Sequence, residues 1–426
     1  VATNTAIGKD TLGSNTTGAR NTAIGYQTFD ANTTGVDSTA VGNAALGANT
    51  TGNYNTAVGS YALDANTTGT KNVAMGYNTL TNSTTASLNI AIGHTALQAN
   101  TTGNYNTAVG SAAMLVNTTG VENVAMGYLT LDANNTGSSN VAVGSRAMTA
   151  STTGVVNVAL GKNALTANTT GSYNVGLGGD ALVATTTSAG SVAVGYQALR
   201  LNTAAYQVAV GYQALASATT GTGNTGLGFA ALVFNTIGSR NTAVGSDALY
   251  NNTIGTDNTA VGYNSLNDNT TGANNVAVGS YALDANTTGV NNTAVGHTAL
   301  SANTTAIYNT AVGYQALVGT TSGGYNTAHG ANALKNNTTG VQNQAFGYDA
   351  LGANTTGYAN VAIGYLTLDA NTIGIQNIAV GGSALGGNTT GNSNTAVGYG
   401  SLAGNTTGAN NVAVGSLALD ANTSGN

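Results

Sequence analysis

Asn21-Thr22-Ala23-Ile24-Gly25 returns as Asn55-Thr56-Ala57-Val58-Gly59, then as Asn72-Val73-Ala74-Met75-Gly76, and onward to Asn411-Val412-Ala413-Val414-Gly415. The interval is 17 residues, apart from one 16-residue unit at 191–206, and counting from Asn4 gives 25 units. A fixed period constrains a fold more tightly than composition does. Each unit must be one supersecondary turn that cannot bury its apolar face alone, so neighbours have to stack. The consensus reads N-T-A-V-G-Y-x-A-L-x-A-N-T-T-G-x-x, numbered here as positions 1 to 17.

The units compared with one another show what each position demands. Position 5 is always Gly, as at Gly25, Gly42 and Gly59. Position 3 is Ala, as at Ala23 and Ala57, except at Gly176 and Gly226. Position 4 is a large apolar residue, as at Ile24 and Val58, everywhere except His329. Position 9 is Leu, as at Leu46 and Leu63, or else Phe29, Met114 or Met148. Position 12 is Asn in 20 units, among them Asn32, Asn49 and Asn66. Position 15 is Gly, as at Gly35 and Gly52, except at Ala86, Ser188, Ala205 and Ala306.

Positions 1 to 4 alternate like a strand, so residues 2 and 4 share one face and residue 3 the other. A second short strand is expected around positions 7 to 11, with Leu inward. The glycines at 5 and 15 supply the turns. Two layers ~10 Å apart then enclose one layer of side chains, the position-4 aliphatic and the position-9 Leu. On this reading the Ala at position 3 points outward and marks a contact with another protomer. The expected fold is an all-β parallel β-solenoid, a single continuous array over 1–426. Helical solenoids need units of about 33 to 47 residues, and collagen needs Gly at every third residue.

Charge is nearly absent, at 5% of residues, with a net charge of −6. Stacking explains this. Like charges repeated every ~4.8 Å would repel along the whole column, whereas Asn and Thr stack without that cost and Asn can hydrogen-bond along the axis. The acids at position 10 (Asp30, Asp64, Asp132, Asp284, Asp369 and Asp420) are mostly separated by several coils. No basic patch invites nucleic acid, and no apolar run of roughly 18 residues suggests membrane insertion. There are no cysteines, so disulfides and thiolate metal sites are excluded. The chain opens at Val1, within a repeat unit, and is expected to be part of something longer.

The unit N-T-A-V-G-Y-x-A-L resembles the Asn/Ser-x-Ala-Ile-Gly head repeats of trimeric autotransporter adhesins, and the similar repeats of phage tail-fibre shafts. The resemblance runs through every coil. It implies a left-handed parallel β-roll, assembled as a homotrimer at a cell or virion surface, holding a binding tip away from that surface. Any cell-surface or glycan receptor would be met by regions outside this chain. The departure is the period, since those head coils run near 14 residues, and the extra residues here lie in the Asn-Thr-Thr-Gly turn.

Residues able to do chemistry are few. His94 and His297 sit at position 6 and read as surface substitutions; His329 is the one weak metal candidate. Glu122 is the only Glu, and no nucleophile–base grouping or phosphate loop occurs, so neither catalysis nor a cofactor is expected. Tyrosines recur at position 6, among them Tyr26, Tyr77, Tyr128, Tyr314 and Tyr365, where they could form a sugar platform or simply cover the turn. Asn-x-Thr at Asn32, Asn49, Asn66 and Asn100 matches the glycosylation pattern but is also the repeat's own turn. The expected function is a structural fibre shaft. The alternatives are an end-to-end extracellular filament subunit and an ice-binding solenoid.

Overall fold

A computed structural model describes residues 3–425. Every unit contributes one three-residue strand at positions 2 to 4, from β1 (Thr5–Ile7) to β25 (Val412–Val414), and no helix occurs among the described residues. The chain forms two compact units, Val1–Tyr212 and Gln213–Asn426. In the first, β2 (Thr22–Ile24) pairs in parallel with β1 so that Thr5 faces Thr22, Ala6 faces Ala23 and Ile7 faces Ile24. The second repeats this register, with Thr242 against Thr259 and Val244 against Val261. Each unit is a parallel β-solenoid in which like residues form columns.

The orientation of the strands is the reverse of the sequence expectation. Ala23 and Ala57 are completely buried, while Ile24 is 37% exposed and Val58 only half-buried. Positions 1 and 3 face inward; positions 2 and 4 face out. The reason is the width of the slot. Gly176, which replaces the position-3 Ala, shows it directly: a Cβ added there would lie 3.4 Å from Leu165 Cγ and 3.5 Å from the Ala181 carbonyl. A methyl fills that space and an isoleucine would not fit. The core is therefore Ala at 3, Ala, Ser or Thr at 8, and Leu at 9, with Leu46 and Leu63 both at 0% exposure.

No second strand exists at positions 7 to 11. That segment is a run of turns in which positions 7 and 9 take positive φ even when they are not Gly: Ala44 at 53° and Leu46 at 54°, Tyr61 at 59° and Leu63 at 53°. Left-handed backbone costs about 1–2 kcal/mol per L-residue. Hydrogen bonds to both neighbouring coils offset it. Leu63 N–H donates to the Thr79 carbonyl at 2.9 Å, and Tyr61 N–H donates to the Asn43 carbonyl at 2.8 Å. Leucine has no preference for this conformation, so local propensity gave no sign of it.

The glycine at position 5 is required by contact as well as by φ. Gly42 has φ 136°, and a Cβ there would lie 2.5 Å from the Gly59 oxygen. In the short coil, the position-15 role falls to Ala204 rather than Ala205. Asn202 Nδ2 donates to the Ala204 carbonyl at 2.7 Å, and Ala204 N–H donates back to Asn202 Oδ1 at 3.2 Å.

Candidate functional site

Two buried asparagine ladders frame the core. At position 1, Asn258 Nδ2 donates to the Gly272 carbonyl at 2.8 Å and to Asn241 Oδ1 at 3.2 Å. Its Oδ1 accepts the backbone N–H of Asn275 at 3.0 Å. At position 12, Asn49 Nδ2 donates to Asn32 Oδ1 at 3.1 Å, and Asn66 Nδ2 donates to Asn49 Oδ1 at 2.6 Å. Asn32 Oδ1 also accepts the Gly35 N–H at 3.1 Å, tying position 12 to the glycine turn. Buried amides are tolerated because both ends find partners. These Asn side chains are completely buried, and so are not presented to solvent as glycan acceptors.

The position-12 ladder breaks at Ser83, where the shorter side chain leaves both Ser83 Oγ and Asn66 Oδ1 without a partner. Replacing Ser83 with Asn should restore the link and stabilise the first unit by about 1 kcal/mol, read as a higher denaturant midpoint. An unchanged or lower midpoint would mean that the coil cannot accommodate the amide.

The charges obey the column rule. Where charged residues occupy the same repeat position in adjacent coils they are of opposite sign: Arg20 on Asp37 and Arg240 on Asp257, each at 2.6 Å. The arginines hold both carboxyls below the usual range. The position-10 acids differ. Burial pushes Asp64, Asp132 and Asp369 up, and Asp284 up to about 6, with Asp268 adding repulsion. A folded pKa above the unfolded value of about 3.9 means stability is fully present below pH 4 and declines as pH rises through 6. For half-exposed Asp284 the loss is about 1 kcal/mol after allowance for solvent screening. Unfolding experiments should therefore find the second unit more stable at pH 4 than at pH 7. Asp284→Asn should remove part of that difference; a stability that falls steadily on acidification would contradict this assignment.

Three surfaces remain. The first is the outer strand face, where positions 2 and 4 present Thr, Val and Ile in flat columns; Met75, Leu160, Leu227 and Val278 are all exposed on it. The second is the position-6 row. Tyr26, Tyr128, Tyr314 and Tyr365 are exposed, but neighbouring rings turn their faces toward each other. Tyr77 stacks on His94 at 5.6 Å, His297 on Tyr314 at 5.8 Å, and Tyr348 on Tyr365 at 5.6 Å. Where such pairs form, mainly ring edges are left for a ligand, which suits a cover over the turn better than a platform for sugar faces. The third is the Thr turn. Thr33 Oγ donates to the Thr50 carbonyl and Thr50 Oγ to the Thr67 carbonyl, both at 3.0 Å, so the position-13 hydroxyl protons are committed within the array.

His329 is not a buried replacement. It is exposed on the outer strand face, with Phe346 at 6.4 Å as its ring neighbour. Its position-4 side chain faces outward like every other one in that column. Among the described residues no three His, Asp or Glu come together in a way that could hold a metal ion. Glu122 accepts a hydrogen bond from Ser139 Oγ at 3.2 Å on the surface. Among the described residues no helix is long and apolar enough to cross a membrane.

The signal for the true inner face was present in the repeat. Positions 1 and 3 scarcely vary among units, while 2 and 4 range over Thr, Val, Ile, Gln, Met, Leu, Phe and His. No protein-family model matches the chain, and no curated protein matches it.

Proposed function

We propose that this chain is the shaft of an extracellular fibre, a homotrimer in which copies meet through the outer strand face and which carries a binding tip supplied by other parts of the protein. The observation that carries the proposal is the in-register outer strand face, where position 4 is apolar except at His329 and position 2 is mostly Thr, Val or Ile. Strands ~10 Å wide, stacked ~4.8 Å apart, give roughly 600 Å² on each compact unit. Each of these areas compares with the ~800 Å² per partner that stable complexes bury. Soluble monomers rarely leave so large an apolar surface uncovered. The interior is sealed by ladders and carries no reactive grouping, which suits a mechanical role.

Sedimentation of the full chain should give three times its 41.6 kDa mass at micromolar concentration. Lysines at Val278, Val295 and Val312, adjacent in one outward column, should release monomers that keep their β circular dichroism. A wild-type monomer would end the proposal. Mass growing without limit with concentration would favour an end-to-end filament, and thermal hysteresis of the monomer an ice-binding face.

A further inference from the structure

The second unit departs from the repeat over two consecutive coils. Phe229 stands at position 6, Phe234 at position 11 where the consensus has Ala, and Val233 and Tyr250 at position 10. The four gather. Tyr250 packs on a small cluster of Ala216, Ala230 and Val233, and meets Phe234 edge to face at 5.1 Å and 88°. Phe229 is 54% exposed and Phe234 44%. Two open clefts flank this aromatic pair, one of about 260 Å³ beside Phe229, Val233 and Tyr250, the other of about 560 Å³ beside Phe234. Asn251 lines both. Their combined size lies in the range of small-ligand sites, roughly 300–1,000 Å³.

The polar rim has a definite character. Asn251 Nδ2 is committed to Asp268 Oδ1 at 3.0 Å, and Asn267 Nδ2 to the Asp247 carbonyl at 2.9 Å. Ser246 Oγ donates to Asp247 Oδ2 at 2.8 Å. The hydroxyls of Thr236 and Thr253 donate to backbone carbonyls, each at 3.0 Å. Asn267 Nδ2 also donates to Asn264 Oδ1 at 3.3 Å, whereas Asn251 Nδ2 keeps a second hydrogen, so the rim offers amide N–H beside the amide and carboxylate oxygens of Asn251, Asn267, Asp247 and Asp268. A fitting ligand brings hydroxyl donors along one edge and a C–H face for the aromatic rings. The two carboxylates repel an acidic ligand.

We infer that this paired cleft binds a neutral oligosaccharide, with sugar rings packed on Phe229 and the Tyr250–Phe234 pair and their hydroxyls donating to the Asp247, Asn251, Asn267 and Asp268 oxygens. The site stands on the side of the coil away from the outer strand face, because positions 3 and 8 pack between the two. It is therefore independent of the trimer proposal and stays open in a fibre or a monomer.

The experiment is saturation-transfer NMR and calorimetry on the full chain with maltotetraose, cellotetraose and mannotetraose, with tetragalacturonate as the acidic probe and the glucosamine tetramer as the cationic one. At least one neutral probe should bind, and tetragalacturonate should not. Tyr250→Ala and Asn251→Ala should each weaken binding about tenfold, and Tyr365→Ala should leave it unchanged. Asn251→Ala guards against misfolding, since it removes one surface hydrogen bond and no packing. The inference is overturned if no neutral probe binds at 10 mM on the order used for weak lectin sites, if only the cationic probe binds, if Asn251→Ala has no effect, or if the patch proves to be covered by a second copy at working concentrations.

Discussion

Gly262→Ala should break the second unit locally, at a cost of about 4 kcal/mol or more. Gly262 has φ 136°, a region L-residues rarely enter, and the new Cβ would lie 2.6 Å from the Gly279 oxygen and 2.7 Å from its carbonyl carbon. Those atoms belong to the next coil's backbone, which is fixed in turn by the ladder, so neither partner can retreat. Gly382→Ala is the matched control. Its Cβ would meet the Tyr399 ring at 3.5 Å and the Tyr365 carbonyl oxygen at 3.8 Å, both ordinary contacts. Native-state proteolysis should find a new cleavage site near Gly262 in the first variant and none in the second. Equal behaviour would refute the assignment of position 5 to backbone approach. Because coils contact only their neighbours, the damage should be local rather than a uniform loss over the array.

Asn258→Asp should cost about 3–5 kcal/mol at pH 7, and less in acid. The amide nitrogen faces two acceptors, the Gly272 carbonyl and Asn241 Oδ1. A carboxylate there would set negative charge against both, without solvent, in a position that is completely buried. Its pKa would rise, so the penalty is full at neutral pH and shrinks as acid protonates the group and returns one donor. Urea unfolding at pH 7 and pH 4 measures both parts. A variant as stable as the parent at pH 7 would mean that the ladder is incidental to the fold.

The same accounting explains the composition. Columns of identical residues multiply every local error by the number of coils, so an unpaired charge or a one-sided amide is excluded at nearly every position. The exceptions fall where opposite charges stack, as Arg20 does on Asp37. They also fall on the solvent-facing rows, where the aromatic departures at Phe229, Phe234 and Tyr250 carry no cost to the core.

The sequence by itself determined the period, the parallel in-register stacking, the glycine at position 5 and the asparagine ladders. Each follows from one fact: a 17-residue unit repeated 25 times places like on like. It also defined two faces of every strand, since alternation requires them. The near-invariance of positions 1 and 3 marked the face that turns inward, but side-chain size pointed the other way. Size suggested Ile24 and Val58, yet Ala23 and Ala57 are the buried ones. The opposite wall decides this, and that wall is a chain of turns with residues such as Leu46 and Leu63 in left-handed backbone. Those turns bring the wall close enough that only a methyl fits beneath it, and hydrogen bonds between coils, invisible to local propensity, hold them there. The aromatic cleft was hidden for a related reason. Phe229, Tyr250 and Asn267 are remote along the chain and meet only because neighbouring coils lie side by side.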